Sequence, residues 1–153
     1  MNVKYINPLL ESTVTVLSTM AMVEATPGKP SIKEGQDTLG DITGMIDLAG
    51  DKVHGSLAIS FSEPAILDIT EKMLGESVTS IDATVIDVVG EITNMITGSA
   101  KRIYSEQGME FDLTLPSTLV GNDQPLQHSV NGELIVLPFN TAAGQFYLEL
   151  CFS

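Results

Sequence analysis

Two acids and an amide stand at Asp87, Glu91 and Asn94, within the stretch DVVGEITNMITGSAK that covers residues 87–101. A carboxylate accepts hydrogen bonds and pairs with a cation, while a neutral amide both donates and accepts. With Asp87 at zero on a helical wheel, Glu91 falls at about +40°, Asn94 at about −20° and Gly98 at about +20°. Val85, Val89, Ile92, Ile96 and Ile103 fall within about 40° of the opposite direction. One side of such a helix is core, and the other presents Asp87, Glu91 and Asn94 with Gly90 and Gly98 beside them.

A solvated face explains Asp87 and Glu91. It does not explain the glycines, each of which costs ~1 kcal/mol against alanine inside a helix. Nor does it favour Asn94, a mediocre helix former. Like charges one turn apart, as at Asp87 and Glu91, are mildly unfavourable in an isolated helix. A surface that accepts these penalties and carries no bulk points to another backbone coming close.

The elements that must position this face follow from period and punctuation. Asn7-Pro8 predicts a cap followed by the first turn of a helix over about residues 8–23, with Leu10, Val14, Leu17 and Ala21 at helical spacing. ITGMIDLAG and VHGSLAISF predict two strands joined by a turn at residues 50–52. SEPAILDITEKMLGE predicts a short helix stopped by Gly75, and Ser80 and Asp82 open a longer helix that ends near Gly108. Strands follow: FDLTLPSTLVG, then QHSV and ELIVLPF as a hairpin about Asn131-Gly132, then QFYLELCF. The order predicts two similar halves, each with one long helix and its own strands. Met20 and Met22 are expected to fill core.

Composition narrows the function classes. A chain of 153 residues fits one domain, residues 1–153. Twenty acids against seven bases give a net charge of −13, which argues against nucleic acid and against an anionic membrane surface. The opening MNVKYINPLLESTV lacks a long apolar segment of the secretory kind, and no apolar run reaches the ~20 residues of a membrane span. The cytoplasm is the expected compartment. Cys151 is the only cysteine and is expected to be a small buried hydrophobe. His54 and His128 lack cysteine partners and close histidine spacing, so no metal site is expected on this chain.

Asp87-x3-Glu91-x2-Asn94 resembles the Asp/Ser-x3-Glu-x2-Asn motif of the CheC/CheX/FliY chemotaxis phosphatases. The flanking stretches NPLLESTVTVLSTM, DITGMIDLAGDKVHGSLAISFSE, MLGE, VVGEITNMITGSAK and LPFNTAAGQFYLEL are similar to the CheX branch in the same order, so the resemblance covers nearly the whole chain. It implies an α/β (α+β) fold of pseudo-twofold, CheC-like architecture, with two long helices packed on a mainly antiparallel sheet. It implies dephosphorylation of the aspartyl phosphate on a phosphorylated CheY-type response regulator. Asn94 would orient the attacking water, and Glu91 would pair with the regulator's active-site lysine. Asp87, Gly90 and Gly98 would contact the partner. The chain would bind no cofactor, and Mg²⁺ would sit on the response regulator. A homodimer joined at sheet edges is implied as well. The apolar terminal strand QFYLELCFS is an edge expected to seek a neighbour.

The first helix aligns as Asn7-x3-Glu11-x2-Val14. Valine cannot hold a water, so one active face per chain is expected, and Glu11 is read as a first-turn acid complementing the helix dipole. A rival reading from another class is a non-catalytic scaffold, related to flagellar switch components, that binds a regulator without hydrolysing its phosphate.

Overall fold

The computed structural model describes residues 3–153; Met1 and Asn2, the start of the segment read for a secretory leader, lie outside the described residues. In chain order the elements are α1 (Val3–Ala21), β1 (Thr26–Pro27), β2 (Ser31–Ile32), β3 (Ile42–Ala49), β4 (His54–Phe61), α2 (Glu63–Leu74), α3 (Ala83–Glu106), β5 (Asp112–Leu113), β6 (Ser117–Val120), β7 (Ile135–Asn140) and β8 (Gln145–Phe152). The strands form one antiparallel sheet in the order β1-β7-β8-β4-β3-β5, with β2 also on β7 and β6 also on β3. No helix among the described residues is long and apolar enough to cross a membrane.

A pseudo-twofold runs through this order. Hairpin β3–β4 follows α1, hairpin β7–β8 follows α3, and β4 pairs with β8 at the centre. Ala58 opposite Glu149 is the middle of that central pairing, which extends from Gly55–Phe152 to Phe61–Phe146. The sequence predicted that each half would keep its own strands, but the halves exchange their short ones. β1 and β2, which follow α1, pair with β7 of the second half, and β5 and β6, which follow α3, pair with β3 of the first.

Strand alternation divides the sheet into two faces. Ile42, Ile46, Leu48, Leu57, Ile59, Phe61, Leu137, Phe139, Phe146, Leu148 and Leu150 are buried in the main core beneath the helices. Phe146 stacks between Phe61 and Phe139, with centroid distances of 5.2 and 4.8 Å. The other face is small and polar at its centre, where Ser56, Ala58, Ser60, Glu149 and Cys151 are buried.

Four expectations need correction. α1 begins upstream of Asn7 and contains Pro8. That first turn is held by tertiary packing: Tyr5 stacks on Phe152 at 4.4 Å, Ile6 is buried, and the Tyr104 hydroxyl donates to Tyr5 O. The Asn131-Gly132 hairpin does not form. The outer side of β7 is taken by β2, and β7 instead turns into β8 through Thr141–Gly144, where Thr141 N donates to Gly144 O at 2.9 Å. QFYLELCF is a central strand flanked by β4 and β7, so it offers no edge to a second copy. Met20 and Met22 are exposed rather than core.

Candidate functional site

α3 is positioned from both ends. Asp82 Oδ1 accepts from Val85 N at 3.1 Å and caps the start. Val85, Val88, Val89, Ile92, Ile96, Ala100 and Tyr104 are buried against the sheet and neighbouring helices. Burial pushes the Tyr104 hydroxyl pKa well above its ordinary value, with a smaller contribution from Tyr5, so the group stays a donor. Thr93 and Thr97 are buried too, and their hydroxyls donate to Val89 O at 2.8 Å and Thr93 O at 2.7 Å. Those polar side chains therefore satisfy themselves within the helix and leave the packing surface apolar.

The opposite side is open. Asp87, Glu91, Asn94 and Gly98 are exposed, and Gly90 is half-buried. Among the described residues, no side chain pairs with or hydrogen-bonds to the Asp87, Glu91 or Asn94 side chains. Among the described residues, a Cβ placed on Gly90 or on Gly98 would meet no atom within 4 Å beyond its chain neighbours and the adjoining helix backbone. Neither glycine is required by contacts inside this chain, although each weakens the helix.

This face lines neither of two well-formed surface cavities. One cavity of about 390 Å³ lies between Lys4, Lys52 and Glu110, and another of about 540 Å³ lies near Met22 and Asn140. A small-molecule site is ordinarily concave and encloses its ligand. A helix surface offering a carboxylate, an amide and no bulk suits entry into a depression on another molecule. Among the described residues, no group of three or more His, Cys, Asp or Glu is arranged to hold a metal ion.

The first helix shows the same local pattern without the same ends. Thr13 Oγ1 donates to Leu9 O at 2.7 Å, as Thr93 does to Val89 O. Glu11 is exposed like Glu91, but Val14 occupies the place of Asn94 and is half-buried against the core.

Residues 42–140 match the family model described as "Chemotaxis phosphatase CheX". The chain belongs to the CheX family. It is 25% identical over 141 residues to the CheY-P phosphatase CheX of Thermotoga maritima, covering 92% of this chain and 89% of that protein. It resembles the crystal structure of chemotaxis protein CheX from Vibrio vulnificus with a TM-score of 0.91 and 41% identity, over 97% of this chain and 99% of the other. A CheX from Borrelia burgdorferi, solved as a complex with CheY, BeF3 and Mg²⁺, superposes with a TM-score of 0.80 and 26% identity over 97% of each chain. The α/β, CheC-like fold expected from the sequence is the fold observed.

Sequence reasoning missed two features. Gly44 lies directly under Thr93 and interrupts the inward row Ile42, Ile46, Leu48. A glycine inside a strand is a signal of close backbone approach and could have located this seat. The second is the buried set Lys33, Glu149, His128 and Ser56 on the helix-free face. Its members lie far apart in the chain, and no spacing rule connects them.

Proposed function

We propose that this chain is the phosphatase of a CheY-type response regulator and that the exposed face of α3 is its active surface. The observation that carries this reading is the open space at Gly90 and Gly98 beside side chains of Glu91 and Asn94 that have no partner within the chain. An aspartyl phosphate needs a water held in line and its oxyanions stabilised, with little covalent help from the second protein. The neutral amide of Asn94 accepts from that water or donates to the phosphoryl group without adding negative charge. Glu91 would be repelled by phosphate, so it serves better by pairing with a regulator lysine and fixing the approach of Asn94. Asp87 contacts the regulator one turn away. The regulator carries the Mg²⁺, in keeping with the ion in the Borrelia complex.

The test is the decay of phosphorylated regulators from the same cell. Wild type is expected to accelerate decay of at least one of them. Asn94→Ala is expected to lose about 10²-fold in kcat with regulator binding kept, the scale of removing one transition-state donor. Glu91→Ala is expected to weaken binding and kcat together. A protein that binds regulators yet accelerates none is a scaffold, and the phosphatase reading then fails. Family likeness also leads us to propose a homodimer, for which sedimentation equilibrium should give twice the 16.3 kDa chain mass.

A further inference from the structure

β3 alternates cleanly except at one position. Ile42, Ile46 and Leu48 point into the core beneath the helices, and Gly44 occupies the remaining place in that row. A Cβ at Gly44 would lie 2.2 Å from Thr93 Oγ1, 3.1 Å from Val89 Cγ1 and 3.3 Å from Thr93 Cβ. The first distance is far inside van der Waals contact. Thr93 cannot swing aside freely, because its hydroxyl is committed to Val89 O and the residue is fully buried. Thr93 is the residue before Asn94 and the second after Glu91. The turn that carries the site therefore sits directly on the backbone of β3.

The other half of the molecule lacks this seat. β4 and β8 are equivalent under the pseudo-twofold, each eight residues long, and His54–Phe61 superposed on Gln145–Phe152 places Ile59 on Leu150. Ile59 pairs with Gly44 on β3, whereas Leu150 pairs with Ile135 on β7. The helices match through Thr13 and Thr93. An isoleucine, Ile135, therefore stands in the second half where the first has Gly44. In agreement, α3 lies close against β3, and α1 makes no comparably close approach to β7. The helix held down on the sheet is the one with Asn94, and its twin without the seat has Val14.

We infer that Gly44 is a positioning residue for the phosphatase reaction. It sets the height and rotation of α3, and hence where Glu91 and Asn94 reach on a docked regulator. The inference rests on the phosphatase reading above. Catalysis by water positioning tolerates little displacement, since a misplacement of about 1 Å can cost about 10²-fold in rate. Binding of the regulator is spread over a wider surface and is less sensitive.

The experiment compares wild type, Gly44→Ala, Thr93→Ile and the double variant Gly44→Ala/Thr93→Ala on a regulator whose decay wild type accelerates. Affinity is measured separately with the BeF3⁻-activated regulator. Thr93→Ile adds bulk at the same seam from the helix side, and the double variant removes the atom nearest the new methyl. Folded single variants are expected to lose about 10-fold or more in kcat while affinity changes by less than about threefold. The double variant is expected to recover most of that kcat, a rescue that a general loss of stability would not produce. Either single variant, folded and with wild-type kcat, overturns the inference. So does a folded double variant that still lacks the kcat. A wild-type protein inactive on every regulator removes the phosphatase reading itself, whatever the Gly44 variants do.

Discussion

Gly98 bears on the site through what it leaves out. It lies one turn beyond Asn94 on the exposed side, and among the described residues nothing beyond its chain neighbours and the adjoining helix backbone stands within 4 Å of where its Cβ would be. Gly98→Leu should therefore fold as well as wild type or better, since leucine is favoured over glycine in a helix by up to ~1 kcal/mol. It should also place a branched side chain where the regulator must come close. We expect raised melting temperature together with weakened binding of the BeF3⁻-activated regulator. Unchanged binding would show that the partner does not pass over Gly98. This opposition between stability and activity is legible in the sequence, because the helical period alone puts Asp87, Glu91, Asn94 and Gly98 on one side. The seat under Thr93 was not legible in the same way. It depends on which strand lies beneath the helix, and periodicity says nothing about that pairing.

At the scale of elements, the long helices were found and their ends were found unequally. α3 begins at Asp82, whose side chain makes the cap bond, and α2 ends at Gly75 with φ of 71°. Both ends announce themselves by residue type. α1 does not, because its first turn is held by Tyr5, Ile6 and Tyr104 rather than by a cap. Its last turn is also unannounced: Met22 follows with φ of 53°, and Val23 N reaches back to Leu17 O at 3.0 Å. A left-handed conformation costs a residue with a side chain roughly 1–2 kcal/mol, a cost glycine avoids. Met22 is 86% exposed, so its side chain returns little packing. Met22→Gly should stabilise the protein by about 0.5–1 kcal/mol once glycine's greater chain entropy is allowed for. Chemical denaturation measures the change, and a lower midpoint would mean that the exposed methionine makes contacts that stabilise the fold. The absent hairpin at Asn131-Gly132 shows the limit of local turn chemistry. The dipeptide is a good turn former, but β2 already occupies the strand edge that QHSV would need.

At the scale of the molecule, the exchange of edge strands ties the two halves together, and the ties converge on one carboxylate. β1, β2 and β5 are two residues each, too short to carry a period, so their exchange could not be read from the sequence. The segment after β2 brings Lys33 and the segment after β6 brings His128 across the helix-free face to Glu149, the middle of the central strand pair. Lys33 Nζ lies 2.6 Å from Glu149 Oε1, His128 Nε2 lies 2.9 Å from Oε2, and His128 Nδ1 lies 2.7 Å from Ser56 Oγ. The Lys33, His128 and Glu149 side chains are 3%, 5% and 1% exposed. Such a pair gains little over apolar packing, but breaking one side leaves a buried charge and costs about 3–5 kcal/mol. Glu149→Leu should therefore lower the melting temperature by roughly 6–20 °C at 2–4 °C per kcal/mol. Adding Lys33→Met should recover a large part of the loss, because the stranded cation is gone. A double variant no more stable than Glu149→Leu would show that the cost lies in the His128 contact or in packing rather than in the unpaired lysine. Since this clasp and α3 lie on opposite faces of the sheet, the kcat of the folded double variant should stay near wild type. Loss of activity without loss of folded protein would mean that the two faces are coupled through β3 and β4.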